Sequence, residues 1–339
     1  MKIWFDILTP KQLLFFDQML HRLKRDHQIL CTSRRYGEVS RLIRIRGDDV
    51  IFVGSFGGPT LYSKLMASAI RLRGLLPLVR DFSPDVAVSF CSPEAARISF
   101  GLGVRHIAFN DTPYSPALRL CLPLSQKLLT PWLLSLDDIS KMGISKKDII
   151  QYRAIDAAIT LQARRIRHDR LPMKHDRTNI LVRAVEEQAA YHNVSCTTIP
   201  IIQQMDAEFP DANIVVITRY PEQRKAFRKI LSGRIRVIGM SYDGRDLLDN
   251  TDVFVGSGGT MTAESALMGV PTISYNAVPN VVEEFLISQE LAVREIEPAG
   301  VASRLRTLLE SESDWKRRAK QTLDMMEDPY PKLLAILNT

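Results

Sequence analysis

Residues 252–274 read DVFVGSGGTMTAESALMGVPTIS. The apolar, β-branched run Val253 to Val255 stops at Gly256-Ser257-Gly258-Gly259. Thr260 to Met268 then resumes with helical composition and an apolar stripe, which predicts strand, glycine turn and helix. Glycines there allow positive φ and a close approach of backbone to ligand, while the first-turn N–H groups and the helix dipole offer an anion site. A phosphate suits such a site. Glu264 lies about one turn into the helix, too deep for an N-cap, where a carboxylate can accept hydrogen bonds from two vicinal hydroxyls such as those of a ribose. Gly269-Val270-Pro271 ends the helix and opens a further buried strand, Thr272 to Tyr275.

Any αβ connection can carry glycines, so the turn alone does not define a site. What sets this one apart is the combination of Ser257, two glycines, Glu264 seven residues after the serine, and Gly-x-Pro five after the glutamate. The pattern resembles the donor-nucleotide loop of GT-B-fold sugar-nucleotide enzymes. It is similar in spacing to the N-acetylglucosaminyltransferase of peptidoglycan synthesis, with Ser-Gly, a Glu seven residues on and then Gly-x-Pro. The non-hydrolysing UDP-N-acetylglucosamine 2-epimerases have a similar Ser-Gly-Gly loop ending in Glu-Glu; Ala263-Glu264 keeps the second of these, and the turn is one residue longer. The resemblance implies that Ser257, Gly258 and Gly259 face a diphosphate and Glu264 the ribose; Thr260 is expected to help hold the donor.

Outside this stretch, 339 residues suit two domains, and 45% hydrophobic with 24% charged residues is ordinary globular composition. No apolar run approaches the ~18 residues of a membrane span. Met1 to Asp6 is a strand broken by a charge and lacks a signal peptide's apolar region and cleavage site, so we expect a cytoplasmic protein. Cys31, Cys91, Cys121 and Cys196 are far apart and the six histidines include no H-x-x-x-H pair. The expectation is buried, reduced thiols and no metal. The net charge of +7 is uneven: residues 1–80 hold fourteen Lys or Arg against six Asp or Glu. Solubility accounts for a modest excess, and anionic lipid or phosphorylated substrates are the alternatives; no nucleic-acid partner is expected.

Along the chain, strands are expected at Lys2–Ile7, His27–Thr32, Val50–Gly54, Asp85–Phe90, Arg105–Asn110 and Lys127–Thr130, with helices between them. Thr9 before Pro10 caps the first helix. Pro131 to Lys141 reads as a loop with Asp137-Asp138, and Lys147 to Arg167 as partly helical. The basic run Arg164 to Arg170 reads as an interdomain linker. A second series follows, with strands at Thr178–Arg183, Asn213–Thr218 and Arg234–Gly239 before the opening stretch. Strands alternating with helices argue for parallel sheets covered on both faces, with ligands at the strands' carboxyl ends. That rule draws attention to Asp6 and Asp111, each a candidate general base and each equally readable as a turn or cap residue. Arg183 and Arg219 directly follow apolar strands and suit phosphate contact, though surface arginines need no such role.

The whole chain also resembles the family catalogued as domain of unknown function 354. The resemblance rests on MKIWFDILTPKQLLFF, Asn110-Asp111-Thr112, QYRAIDAAITL at 151–161, ILVRA, VVITR and GSGGTMTAESALMGVPTIS. Many members carry a longer insert after the strand matching Thr272 to Tyr275, where Asn276 to Glu283 is short here. No Walker A motif, Gly-x-Ser-x-Gly elbow or Gly-x-Gly-x-x-Gly first turn is present.

The expected architecture is α/β and GT-B-like, with two Rossmann-like domains whose parallel sheets face a cleft. Residues 1–170 form an acceptor side, 171–325 a nucleotide-sugar side, and 326–339 a helix crossing back. The expected function is a metal-independent glycosyltransferase using a nucleotide-diphosphate sugar, UDP-linked, as substrate, with no cofactor and with a lipid-linked or polysaccharide acceptor. A 2-epimerase and a non-catalytic nucleotide-sugar binder are the alternatives. Thr60 to Asp81 adds an expectation of peripheral contact with anionic membrane. It places Leu61, Leu65, Met66, Ala69, Leu72, Leu76 and Val79 near one helical face with Lys64, Arg71, Arg73 and Arg80 around it. Covering a sheet is the simpler role for such a helix, and Gly74 with Pro77 are expected to break it near its end.

Overall fold

The computed structural model describes residues 1–339 except 167, 169, 186–197, 240–241, 276–279, 312–313 and 339. Cys196, part of the expected linker and the first half of the short stretch after Tyr275 lie outside the described residues. The chain forms two compact units, Met1–Arg164 with Met326–Thr339, and Arg165–Met325. The first contains β1 (Lys2–Ile7), β2 (Gln28–Arg35), β3 (Ile51–Ser55), β4 (Val86–Ser89), β5 (Arg105–Phe109), β6 (Lys127–Pro131) and β7 (Ile149–Tyr152). The second contains β8 (Asn179–Arg183), β9 (Asn213–Ile217), β10 (Arg236–Ile238), β11 (Val253–Gly256), β12 (Thr272–Ser274) and β13 (Val293–Arg294). Among the described residues the sheet orders are β3-β2-β1-β4-β5-β6-β7 and β10-β9-β8-β11-β12-β13, and every pairing is parallel. Both are doubly wound α/β sheets of Rossmann type. Their winding reverses between β1 and β4 and between β8 and β11, the places where such sheets open a ligand crevice at the carboxyl edge.

The sequence dictates this because the central strands are apolar on both faces. β4, β8, β9 and β11 are buried at every residue, which only helices on both sides permit. In the first unit Phe15 and Phe16 of the helix Pro10–Leu23 pack edge-on against Phe5, Phe90 and Phe109 at 5.1–6.1 Å, each such pair adding about 0.5–1.5 kcal/mol beyond its buried area. Leu333, Ile336 and Leu337 of the helix Tyr330–Leu337 join the same core. Thr9 Oγ1 accepts from the N–H of Gln12, and Gln12 Oε1 accepts from the N–H of Leu8, a reciprocal cap that fixes the helix's first turn.

Three local expectations are corrected. Within Pro131 to Lys141 a short helix, Leu136–Ser140, forms because Ser135 caps it and Asp137 and Asp138 sit at its positive end. Lys147 to Arg167 is partly helical as expected, at Asp156–Thr160 among the described residues, but Ile149–Tyr152 before it is an edge strand on β6. The helix Leu61–Phe82 runs unbroken through Gly74 and Pro77. Gly74 lets it approach β3, since a Cβ there would stand 2.8 Å from Val53 Cγ1, while Pro77 lies on the solvent side. Its orientation also revises the expected face: Leu75 and Val79 point into the core, Leu72 packs against it, and Arg71 turns inward. No helix among the described residues is long and apolar enough to cross a membrane.

Candidate functional site

In the second unit the glycine turn sits at the sheet's switch point. Gly258 has φ +77°, a conformation that a side chain would strain. Gly256 is required for packing, because a Cβ would stand 2.4 Å from the Phe254 ring and 2.5 Å from Thr262 Oγ1. Gly259 is the N-cap of the helix Thr260–Leu267, and among the described residues no side chain caps that helix. Its opening N–H groups therefore point off the end of the helix, beside a turn in which Ser257, Gly258 and Thr260 are half-buried and Gly259 is exposed. Arg219 lies against it: a Cβ on Gly259 would be 3.7 Å from the Arg219 guanidinium. Arg219 is held by Nε donating to the Ala184 carbonyl at 3.3 Å and by its backbone N–H donating to Gln223 Oε1 at 2.9 Å. Arg183 is buried, with Nη1 donating to the Thr218 carbonyl at 3.4 Å. Glu264 is also buried, at 7% exposure.

A further residue joins this turn that the sequence reading missed. Asn280 accepts from the N–H of Glu283 as N-cap of Val281–Ser288, and its Nδ2 reaches the Gly258 carbonyl at 3.5 Å. A second helix thus begins at the same loop. An Asn after a strand and before an apolar run was the available signal.

In the first unit Asp111 stands just past β5. The turn around it is tied by its neighbours, with Asn110 Nδ2 donating to the Thr112 carbonyl and Thr112 Oγ1 accepting from the N–H of Tyr114. Asp111 instead pairs with Lys11, whose Nζ is 2.7 Å from Asp111 Oδ2 and 2.8 Å from Asp156 Oδ2. The ammonium also lies 4.3 Å from the centre of the Phe90 ring. Tyr152 OH donates to Asp156 Oδ1 at 3.3 Å. Burial pushes the Asp156 carboxyl up to about 7, with Asp111 adding to the rise and Lys11 opposing it. Burial works against the Lys11 ammonium, but its two carboxylates hold it above the ordinary lysine value. Lys11 carried a legible warning: a lysine in a helix's first turn opposes the dipole unless something pairs with it.

Asp6, the other carboxylate singled out from sequence, is sealed. It is 0% exposed and receives Arg71 at 2.5 and 2.9 Å, Ser92 Oγ at 2.6 Å and Thr32 Oγ1 at 2.6 Å. Burial raises its carboxyl, yet the Arg71 charge and these hydrogen bonds hold it below the ordinary value. Such a carboxylate holds the sheet edge together and presents no face to an incoming hydroxyl.

A family model described as a protein of unknown function, DUF354, matches residues 1–335. The chain belongs to that family. Uncharacterized protein MJ0665 of Methanocaldococcus jannaschii is 27% identical over 282 residues, 80% of this chain and 81% of that protein. Among solved structures, the DUF354 chain is similar to a UDP-GlcNAc 2-epimerase from Neisseria meningitidis bound to UDP-GlcNAc, at 14% identity and TM-score 0.75 over 100% of both chains. The S. aureus MnaA structure with UDP has TM-score 0.76 at 13% identity, covering 98% of this chain and 94% of that one. The spinosyn rhamnosyltransferase SpnG with thymidine diphosphate has TM-score 0.62 at 13% identity over 100% of both chains. At these identities the likeness is one of fold, and the fold is GT-B-like, with two Rossmann-type units.

Proposed function

We propose that this DUF354 protein is a metal-independent glycosyltransferase that takes a nucleotide-diphosphate sugar, UDP-linked. The observation that carries the reading is the open turn at Ser257–Thr260, where the left-handed Gly258, an uncapped helix and the Arg219 guanidinium meet at the switch point of the second sheet. A diphosphate bound there receives backbone N–H donors and a fixed cation, which stabilise it as a leaving group without Mg²⁺. Glu264 takes the ribose hydroxyls and Arg183 adds charge from the end of β8. In the first unit Asp111 accepts the proton of an acceptor hydroxyl, lipid-linked or on a polysaccharide, while Lys11 fixes its carboxylate. The UDP-GlcNAc and thymidine diphosphate held by proteins of similar fold support a nucleotide ligand. Thermal shift with UDP, TDP, GDP and CDP compounds tests it: a UDP compound should raise Tm in the wild type and fail to do so in Arg219→Ala. No stabilisation by any of them at millimolar concentration overturns the reading.

The Asp111–Lys11–Asp156 cluster favours a second reading, epimerisation at the sugar C2. Two carboxyl groups on one ammonium, with Asp156 raised to about 7, place a proton donor and a proton acceptor side by side. Incubation with UDP-N-acetylglucosamine alone in D₂O separates the two, because deuterium entering C2 without an acceptor indicates epimerisation. A nucleotide that binds with no turnover of the donor sugar, with or without acceptor, leaves a binding protein.

A further inference from the structure

The helix Leu61–Phe82 has two apolar faces. Its inner face is satisfied: Leu75 and Val79 are buried and Leu72, Leu78 and Phe82 pack with them over Trp4, Leu30 and Ala87. Its outer face has no such cover. Leu61 is 82% exposed, Tyr62 74%, Leu65 70% and Ile70 61%, and Met66 and Leu76 are exposed beside them. On the helix Pro93–Leu102, which packs beside it, Phe100 is exposed as well. An apolar surface of this extent on a folded unit marks an interface.

Charge decides among occupants. Apart from Asp81, which pairs with Arg80 at 2.8 Å, the charged side chains on the long helix are basic, and Arg71 is turned inward to Asp6. At about 100° per residue, Arg73 falls in the middle of the outer face, between Tyr62, Met66, Ala69 and Leu76. Exposed Arg97 lies one turn before Phe100. Two copies meeting through this face would bring like charges together about their symmetry axis. An apolar protein groove would leave Arg73 buried without a partner. A bilayer of anionic lipid accepts both features at once: Leu, Ile, Tyr and Phe enter the interface while the guanidinium groups reach the headgroups.

We propose that this outer face, centred on Leu65, Ile70 and Arg73, docks the protein onto anionic membrane surfaces. The proposal is independent of the glycine-turn reading, because it needs no nucleotide. The full chain is co-sedimented with vesicles of phosphatidylcholine and with vesicles that also contain phosphatidylglycerol. The wild type should pellet with the anionic vesicles and remain largely in solution with the neutral ones. Arg73→Ser with Arg97→Ser should weaken anionic binding roughly 30-fold, about fivefold per cation removed. Leu65→Glu with Ile70→Glu should abolish it, and circular dichroism and a melting curve verify that both pairs of variants fold. Equal pelleting with both vesicle types overturns the proposal. So does a dimer in sedimentation velocity without lipid that Leu65→Glu with Ile70→Glu splits, which assigns the face to a second copy.

Discussion

Two buried charge networks lie along the carboxyl edge of the first sheet, and they differ in stoichiometry. Around Asp6, the carboxylates of Asp6 and Glu94 meet the guanidinium of Arg71, and the charge of Arg34 is felt beside them, so the signs balance. Asp6 is closed to solvent and every hydrogen bond it receives comes from within the unit. Around Lys11, two carboxylates share one ammonium, and the Asp111 side chain is 28% exposed. Two carboxyl groups with a single counterion in a poorly solvated place resist ionising together, so the raised Asp156 lets this network hold a proton up to about pH 7 where the other holds none. A balanced, sealed network contributes rigidity. An unbalanced, open one is suited to proton transfer.

The largest expected effect breaks the balanced network. Asp6→Asn leaves the buried Arg71 guanidinium with Glu94, at 3.6 Å, as its remaining counter-charge, which should cost about 3 kcal/mol or more of unfolding free energy in urea denaturation at neutral pH. A loss under about 1 kcal/mol would show that water reaches the pair and that the two networks are alike.

The next effect sharpens the contrast through pH. The Asp156 carboxyl is raised from 3.8 to about 7, so between those values the folded protein binds more protons than the unfolded chain. The Asp156 contribution to unfolding free energy should therefore fall as pH rises from about 4 to about 7, by at most about 4 kcal/mol. Asp156→Asn should flatten that slope. The depressed Asp6 carboxyl has the opposite sign: its stabilisation is present above the ordinary carboxyl range and is lost as pH falls below it. His106, which burial lowers to about 4, adds stability with rising pH over the same range, so the test is the difference between the urea midpoints of the wild type and Asp156→Asn across pH 4 to 8; a difference that does not change with pH would contradict the stored proton.

The contrast explains what the sequence could and could not convey. Strand–helix alternation and apolar strands made both parallel sheets legible, because a strand buried on both faces has few other ways to read. Short elements were lost: β7 and β13 add only four and two residues at sheet edges, where neighbouring strands decide the pairing more than composition does. Asp111 was visible because it follows a strand. Its partners were not, since Asp156 lies 145 positions from Lys11 and only the fold brings them within 2.8 Å. Arg71 was read as a surface cation, and nothing in its helix reveals that it reaches Asp6, 65 residues earlier. The glycine turn announced itself through residues close in sequence, whereas Arg219 joins it only by way of β9.

The smallest expected effect on stability comes from Asp111, and it tests whether the open network does chemistry. Its side chain is partly in water, so Asp111→Asn removes one arm of a partly exposed ion pair, and Lys11 keeps Asp156 at 2.8 Å. The stability loss should be about 1 kcal/mol or less. Turnover of donor, followed as release of the nucleoside diphosphate, should nevertheless fall on the order of 10²- to 10⁴-fold if the Asp111 carboxylate takes the acceptor's proton. The pH profile adds a readout that a merely structural role would not move: with the Asp156 carboxyl raised to about 7, wild-type turnover should decline on the acid side of neutrality as Asp156 takes up its proton, and Asp156→Asn should shift that limb. If Asp111→Asn costs as much stability as Asp6→Asn while turnover per folded molecule is unchanged, the two networks are both structural and the distinction drawn from their stoichiometry fails.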